Sequence, residues 1–592
     1  MPTRTTNPGG IRRVFGCTQG AAACIPLAAA LLFPSPSAAQ ESGPRAPDAG
    51  AILRDVQRDQ PRERIPAPSE DRVEREEAAP APEIPADAPR VPIGEIEFVG
   101  NTVLPASELA AIAAEYAGRD LAFAQMEELA RVVTAAYRSA GYLARVYLPE
   151  QDLSGGVLTV RIDEARLGEV RMQEEPPGAE SRLRPDFLRG FLEAGQDREE
   201  PLSLDRVRRG SLLLNDLPGV GARAVLAPSE EPGRTDLLGV VEALPLVTGS
   251  LAYDNFGAKS TGESRGTAAL ALESPFGVGS RLQFSGLYTE GNRYGRASWE
   301  VPVGTNGLRL GVSGSYLHYK LVDEFEALDA KGDAITAAGD LRYPLVRRAA
   351  GNLYLEGSGG WKRYDNEQQG ETTSQKEVLY GRGGLRADLA DDFLGGGVTY
   401  AGVGATFGNL DLSGDADYEA QDAATNDTAG GYGVFTGDLQ RLQRILPEVL
   451  PRTSLLVFGD GQVATKNLDS SESYYIGGPN SVRAYPPQEI SGDDGFSASA
   501  ELRQGLFDGV SVKLFYDYGW VYQRSTKVES SNTYDLQGWG VGADLVLPWD
   551  LRVSGTAAHP IGDNPVADPV TGDNTDGSND GWRFWVAVRK VF

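Results

Sequence analysis

The stretch VSVKLFYDYGWVY, residues 510 to 522, divides by parity into two different faces. Val510, Val512, Leu514, Tyr516, Tyr518, Trp520 and Tyr522 are all apolar or aromatic, while Ser511, Lys513, Phe515, Asp517 and Gly519 alternate with them. Strand side chains point in turn to the two sides of a sheet, so a period of two marks a strand with one apolar and one mixed face. A soluble sheet turns such an apolar face to a core. A membrane barrel turns it outward to lipid. The sequence around this segment decides between the two.

From Val247 to Phe592 about sixteen segments alternate in the same way, at or above the roughly 9–11 residues a tilted membrane strand needs. Their connections alternate between short (PFGVGS, VGTNG, FDG, PWD) and long (VDEFEALDAKGD, DNEQQGETTSQKE, NLDLSGDADYEAQDAATNDTAG). Short turns on one rim and long loops on the other are what an outer-membrane barrel requires. A soluble sandwich of this length would leave open edges and shows no break to a second sheet. Residues 246–592 therefore read as a 16-stranded antiparallel transmembrane β-barrel, in a chain that is mainly β. In its last segment, WRFWVAVRKVF, Trp582, Phe584, Val586, Val588 and Phe592 share one face, the pattern of a terminal barrel-insertion signal, interrupted by Lys590.

Composition agrees with an envelope protein. The chain has 592 residues, formal net charge −27, two cysteines and two histidines, with a mean hydropathy of −0.30. Such acidity opposes binding to nucleic acid or to the surface of anionic lipid. No apolar run reaches the length of a membrane helix. Residues 1–39 read as an export signal, with Arg4, Arg12 and Arg13, then AAACIPLAAALLF, then Ser37-Ala38-Ala39 at the cleavage site. Cys17 and Cys24 both lie inside it, so the mature chain is expected to carry no thiol or disulfide. Residues 40–92 are a Pro-, Arg- and Glu-rich linker. Within it DAGAILRDVQRDQ, 48–60, predicts a helix capped by Asp48 with Ile52, Leu53 and Val56 on one face. Residues 61–92 would span roughly 30 Å as a flexible coil.

Two α+β repeats follow, over 93–166 and 167–245. IGEIEFVG, ASELAAIAAEYAG, QMEELARVVTAAYRSAGY, ARVYLP and GVLTVRIDEA give strand, helix, helix, strand, strand. LGEVRMQ, RPDFLRGFLEAG, LSLDRVRRGSLLLNDLPG, VGARAVLAPS and DLLGVVEAL repeat the order.

One loop stands apart. GGPNSVRAYPPQE, 477–489, sets Arg483 between apolar neighbours inside the long connection from Asp469 to Asp494, between the eleventh and twelfth segments. A charge facing lipid at mid-membrane costs about 2–4 kcal/mol for a cation and less for an acid, so Asp517 should face the lumen. In FSASAELRQGLF, Ser497, Ser499, Glu501 and Arg503 turn inward likewise. About thirteen residues each way reach some 40 Å, more than the apolar band of roughly 25 Å. The geometry thus permits Arg483 to fold into the lumen and fork onto Asp517, with Glu501 a second candidate anion.

These residues carry a resemblance. IGEIEFVGNTVLPASEL and YRSAGYLARVYLPEQDLSGGVLTVRIDEARLGEV closely resemble the first POTRA module of two-partner secretion transporters, the hemolysin secretion/activation family, and LNDLPGVGARAVLAPSEEPGRTDLLGVVE resembles the second. Val482-Arg483-Ala484-Tyr485 is similar to the Val-Arg-Gly-Tyr/Phe loop motif of that family, and Phe515-Tyr516-Asp517-Tyr518-Gly519 to its Phe/Gly-x-Asp-x-Gly strand motif. The resemblance implies that the loop arginine pairs with the strand aspartate. It also implies that 48–60 is a plug helix and that the two POTRA modules lie in the periplasm below an outer-membrane barrel. Ala484 replaces the motif's glycine. A left-handed conformation there would cost alanine on the order of 1 kcal/mol.

The function so implied is capture of an unfolded exported partner by the POTRA modules and its secretion through the barrel. The partner is expected to be a large β-helical adhesin, hemolysin or growth inhibitor. Extended partner segments could add to a POTRA strand edge, for which LGEVRMQ, beside RPDFLRGFLEAG, is the candidate. Barrel-assembly machinery, periplasmic chaperones and outer-membrane lipid are the other expected partners, with no nucleic acid. An outer-membrane barrel-assembly factor is the alternative, although such proteins usually carry more POTRA repeats. A passive porin would not need the modules. No enzyme motif is legible: His318 and His559 stand on separate segments, outside any Ser or metal pattern. DNPVADPVTGDNTDGSND lacks the ligand spacing of a calcium loop. No catalytic residue, metal or cofactor is expected.

Overall fold

A computed structural model describes residues 46–58, 73–74, 89–176, 181–579 and 581–592. The export signal, both cysteines and most of the linker fall outside these residues. Sixteen strands form a closed barrel, every neighbour antiparallel, from Val247–Asp254 to Arg583–Val591. These first and last strands close the cylinder by pairing Ser250 with Val591 through Asp254 with Ala587. The alternation that marked the sequence sets the two surfaces. On strand Val510–Gln523, Leu514 and Tyr516 face out, half-exposed, while Phe515 and Asp517 are buried inside. Phe584, Val586 and Phe592 are likewise exposed on the outer face of the last strand, with Val588 partly covered.

The first periplasmic module packs helices Ala106–Ala113 and Phe123–Ser139 on a sheet ordered Glu95–Val99, Val157–Glu164, Ala144–Tyr147. Leu109, Met126, Leu129, Val133 and Tyr137 meet Leu158, Val160 and Ile162 in its core. Helical residues three and four apart share a face, and this spacing puts Met126, Leu129, Val133 and Tyr137 on the sheet side. Within IGEIEFVG the strand of the main sheet is Glu95–Val99, and Ile93 ends a separate strand, Arg90–Ile93, that pairs with Arg119–Ala122. Glu164 ties the module's corner: the Tyr137 hydroxyl donates to it at 2.7 Å, as do the N–H groups of Thr102 and Val103 and the Thr102 hydroxyl. Burial pushes this carboxyl up, but those four donors win and hold it below the usual glutamate range.

In the second module helices Pro185–Glu193 and Leu204–Asn215 cover a sheet ordered Val220–Pro228, Arg234–Ala243, Arg166–Glu175. Ser203 caps the second helix by accepting the Arg206 N–H. The strand of LGEVRMQ lies at one edge of this sheet. The opposite edge carries two linker residues, Val73–Glu74, paired parallel with Ala224 and Val225, where a coil was expected. Backbone N–H and C=O groups of an edge strand seek partners, and the linker supplies them.

Candidate lumen loop and pore lining

The connection between strands Thr453–Ala464 and Asp494–Phe507 folds into the barrel. Its two arms pair as a short hairpin, Tyr474–Ile476 with Ile490–Gly492. The Tyr474 hydroxyl, held by Asp460 and Ser497 at 2.9 and 3.1 Å, fixes one arm to the wall. Beyond the hairpin Val482, Ala484 and Tyr485 are buried with Ile476, Phe515, Leu536 and Ala558. Two wall glycines make the room. A β-carbon on Gly519 would come within 2.8 Å of Val482, and one on Gly538 within 2.6 Å of Ala484. Gly519 is therefore needed for close approach of the loop. The expected strain at Ala484 does not arise. The positive-φ residues of this loop are Gly477, Gly478 and Gln488, so the alanine methyl packs against Gly538 without a left-handed turn.

The loop delivers Arg483 into a socket built by strands Asp494–Phe507 and Val510–Gln523. Its Nε and Nη2 donate to the two oxygens of Asp517 at 2.8 and 2.6 Å, and its own backbone N–H reaches Asp517 at 3.1 Å. Nη1 donates to Glu501 at 2.6 Å, and Nη2 also donates to Ser499 at 2.8 Å. The Ser499 hydroxyl in turn donates to Asp517, and the guanidinium carbon sits 3.5 Å from the centre of the Phe515 ring. Every guanidinium nitrogen is engaged. A planar fork over a ring edge of donors and acceptors is a geometry lysine does not supply. The socket thus gathers Val482, Arg483, Ala484, Tyr485, Glu501, Phe515, Asp517 and Gly519 in one place. Phe584, Val586, Val588 and Phe592 stand apart from it on the last strand.

Residues that motif reading passed over complete the arrangement. Trp585 on the last strand donates its indole N–H to the Arg483 carbonyl at 2.8 Å. Glu489, buried in the loop's returning arm, accepts from Asn564 at 2.5 Å and from Thr575. The acidic outer loop DNPVADPVTGDNTDGSND, which lacks calcium-loop spacing, thus fastens the lumen loop. Arg503 donates twice to the Glu501 oxygen that Arg483 leaves open, at 2.8 and 2.5 Å. Arg503 and Trp585 share an inward parity on a barrel strand, a signal common to many residues, while Glu489, Asn564 and Thr575 lie in loops without it.

Helix Ala49–Arg58 lies inside the barrel beside this loop. Ile52, Leu53 and Val56 pack against Leu287, Tyr294, Leu317, Tyr319 and Tyr432 of the inner wall. At its upper end Asp48 accepts the Ala51 N–H and shares the buried Lys376 ammonium with Asp469, each carboxylate at 2.7 Å. Lower down, Arg54 reaches Gln462, Arg58 reaches the Tyr475 carbonyl, and Gln488 of the lumen loop donates to the Ala51 carbonyl. Helix and loop together occupy the lumen.

A second buried clasp joins module to barrel. Asp216, at the end of helix Leu204–Asn215, accepts Arg347 through both oxygens at 2.7 and 2.8 Å. Asn352 accepts from the same arginine and passes the chain to Asp388. Ser274 on the periplasmic rim donates to the Pro218 carbonyl at 2.6 Å. His318 pairs with Asp333 at 3.0 Å, and His559 meets Trp582 edge-on with its ring nitrogen at the Pro560 carbonyl.

Comparison with known proteins matches this architecture. The family model of haemolysin secretion/activation proteins ShlB/FhaC/HecB fits residues 233–545, and that of the ShlB-type POTRA domain fits 91–165. The heme/hemopexin transporter protein HuxB of Haemophilus influenzae is 26% identical over 517 residues, 85% of this chain and 87% of the relative. The outer membrane transporter CdiB of Dickeya dadantii is 25% identical over 484 residues, 79% and 82% of the two chains. Among solved structures, CdiB from Escherichia coli superposes with a TM-score of 0.65 at 23% identity, covering 86% of this chain and 92% of that one. BamA from Haemophilus ducreyi lacking POTRA domains 1–3 shares the fold at a TM-score of 0.50 and 15% identity, covering 84% of this chain and all of that one. A sixteen-stranded barrel with POTRA modules beneath it and a family match over more than half its length place the chain in the haemolysin secretion/activation family of outer-membrane two-partner secretion transporters.

Proposed function

We propose that the lumen loop and helix Ala49–Arg58 form a removable closure of the secretion pore, opened when an unfolded partner is captured by the two periplasmic modules. The carrying observation is the Arg483 socket: a loop arginine bonded to Asp517 and Glu501 on the barrel wall. Polar contacts of this kind release into a wet lumen more readily than a packed apolar core would, since water replaces them. The modules recruit the partner through strand edges, where backbone pairing needs no fixed side-chain sequence. The secreted protein belongs to the large β-helical class of adhesin, hemolysin or growth inhibitor, and one relative's name, heme/hemopexin transporter protein, points to a heme/hemopexin-related cargo. Barrel-assembly machinery and periplasmic chaperones deliver the chain to the outer membrane, its last strand serving as the insertion signal through Phe584, Val586, Val588 and Phe592. The chain has no catalytic role in this reading, nor a cofactor.

The test is co-expression with a large exported β-helical protein, taken from the neighbouring gene if one is encoded there, measuring release to the medium. Release that depends on this chain, and on its residues 93–245, supports the reading. Correct surface delivery of the partner without this chain sinks it.

A further inference from the structure

The Arg483 socket holds two carboxylates and, with Arg503, two guanidinium groups. Glu501 divides its oxygens between them: one accepts Arg483 Nη1 at 2.6 Å, the other accepts Arg503 Nε and Nη2 at 2.8 and 2.5 Å. Asp517 receives Arg483 and the Ser499 hydroxyl. The two arginines differ in attachment. Arg483 arrives on a loop and is buried, whereas Arg503 belongs to the wall strand itself and its side chain is 38% exposed to the lumen.

Follow the charge as the loop withdraws. The loaded socket sums to zero: Asp517 and Glu501 against Arg483 and Arg503. The empty one carries a single net negative charge, because Arg503 stays on Glu501. Without Arg503 the loaded socket would already be at −1. Emptying it would then leave two uncompensated carboxylates that a single guanidinium had bridged. Like charges at such range repel, and a desolvated carboxylate is costly. So the wall arginine lowers the cost of the empty state and weakens the pull of the socket on Arg483. We propose that Arg503 is a positioning residue that sets how readily the lumen loop leaves: a resident counter-cation that makes the clasp reversible.

This inference rests on the reading of the loop as a movable closure, and its test is separate from secretion. It uses the mature-length chain lacking residues 1–39, and so both cysteines, in liposomes, with Ser481→Cys as a reporter. Ser481 is buried at the loop tip, so its rate of maleimide labelling follows the population of withdrawn loop. Arg503→Gln should slow labelling several-fold, and Glu501→Gln, which leaves two arginines around one carboxylate, should speed it several-fold. Arg503→Lys, which keeps the charge, should label at nearly the native rate and guards against a mere packing defect. A purely structural brace predicts that both neutral variants loosen the loop. Faster or unchanged labelling in Arg503→Gln therefore overturns the proposal. Failure of the closure reading looks different: a loop that never withdraws keeps buried Ser481 unlabelled in the native chain and in all three variants.

Discussion

Removing the loop arginine is the most direct perturbation of the closed state. Arg483→Ala deletes two bonds to Asp517, one to Glu501 and one to Ser499. It also deletes the ring contact to Phe515. Asp517 is 0% exposed and Glu501 3%. Breaking one partner from a buried pair typically costs about 3–5 kcal/mol, because the other charge stays behind without compensation. Two features reduce this. Glu501 keeps Arg503, and a vacated loop admits lumen water to Asp517. A loss of about 1.5–3 kcal/mol follows, or about 10–100-fold in the closed population at 1.4 kcal/mol per decade. Asp517→Ala should lose a similar amount, since it strands the guanidinium beside Glu501 and Arg503. Because both substitutions abolish one shared contact, the double variant should be little worse than either single one. The assay is partner secreted to the medium at matched membrane levels, alongside single-channel conductance of the purified barrels. Mean conductance should rise and fluctuate more, with the protein still inserted and release of partner no longer tightly gated. Native conductance in Arg483→Ala, or losses that multiply in the double variant, would refute the coupling.

Three other outcomes are expected. Lys376→Met leaves Asp48 and Asp469 facing each other without their cation. The helix should then detach at its upper end, raising mean conductance several-fold in planar bilayers. Asp216→Asn should free the second module from Arg347. This would broaden the spin-label distance distribution between residues in helix Leu204–Asn215 and the rim, and Asp216→Arg with Arg347→Asp should narrow it again. The third concerns acid. Glu164 is held below its usual range in the folded module, so the unfolded state binds the proton first. The resulting stability is full above the unfolded value of about 4.3 and disappears as pH falls through the lower folded one. Hydrogen exchange at Thr102 and Val103 should therefore accelerate below about pH 4 in the native chain, and Glu164→Gln should flatten that dependence.

Barrel topology was legible because lipid enforces it at every position. A slip by one residue would turn the Asp517 side of its strand to hydrocarbon. The loop's route was legible only as reach and charge. Length alone permitted Arg483 to meet Asp517, and the motif resemblance supplied the pairing. What stayed hidden depends on neighbours far apart in sequence. Lys376 meeting Asp48 spans 328 positions, and Arg347 meeting Asp216 spans 131. Each of these residues, read alone, is an ordinary charged side chain. Glu489 shows the same limit, since its partners Asn564 and Thr575 sit in an outer loop whose composition suggested only solvation. The linker strand at Val73–Glu74 was missed because its composition is that of a coil, and an edge strand accepts backbone from almost any sequence. The expected cost at Ala484 failed for a related reason: the motif names a residue type, while the backbone conformation is set by where the turn falls.

How the lumen helix is held bears on how it can leave. Its ions look like the stronger grip, with Asp48 paired to Lys376, Arg54 near Glu472, and Arg58 donating to the Tyr475 carbonyl. Yet a buried ion pair roughly breaks even once desolvation is counted, so these contacts chiefly set register and direction. The net attraction comes from Ile52, Leu53 and Val56, each 4% exposed or less. At about 1.5–3 kcal/mol per fully buried aliphatic side chain, three of them contribute about 5–9 kcal/mol before the entropy of ordering the helix is subtracted. That is small for an element enclosed by a sixteen-stranded wall. In the proposed closure it is also replaceable, because the wall surface receiving it is built from tyrosines and leucines (Tyr294, Leu317, Tyr319, Tyr432) that belong to the barrel strands and not to the helix. An entering partner with aliphatic residues at intervals can cover the same surface while the ionic contacts exchange with lumen water. If the helix closes the pore as proposed, its expulsion needs only a competitor for its apolar seat.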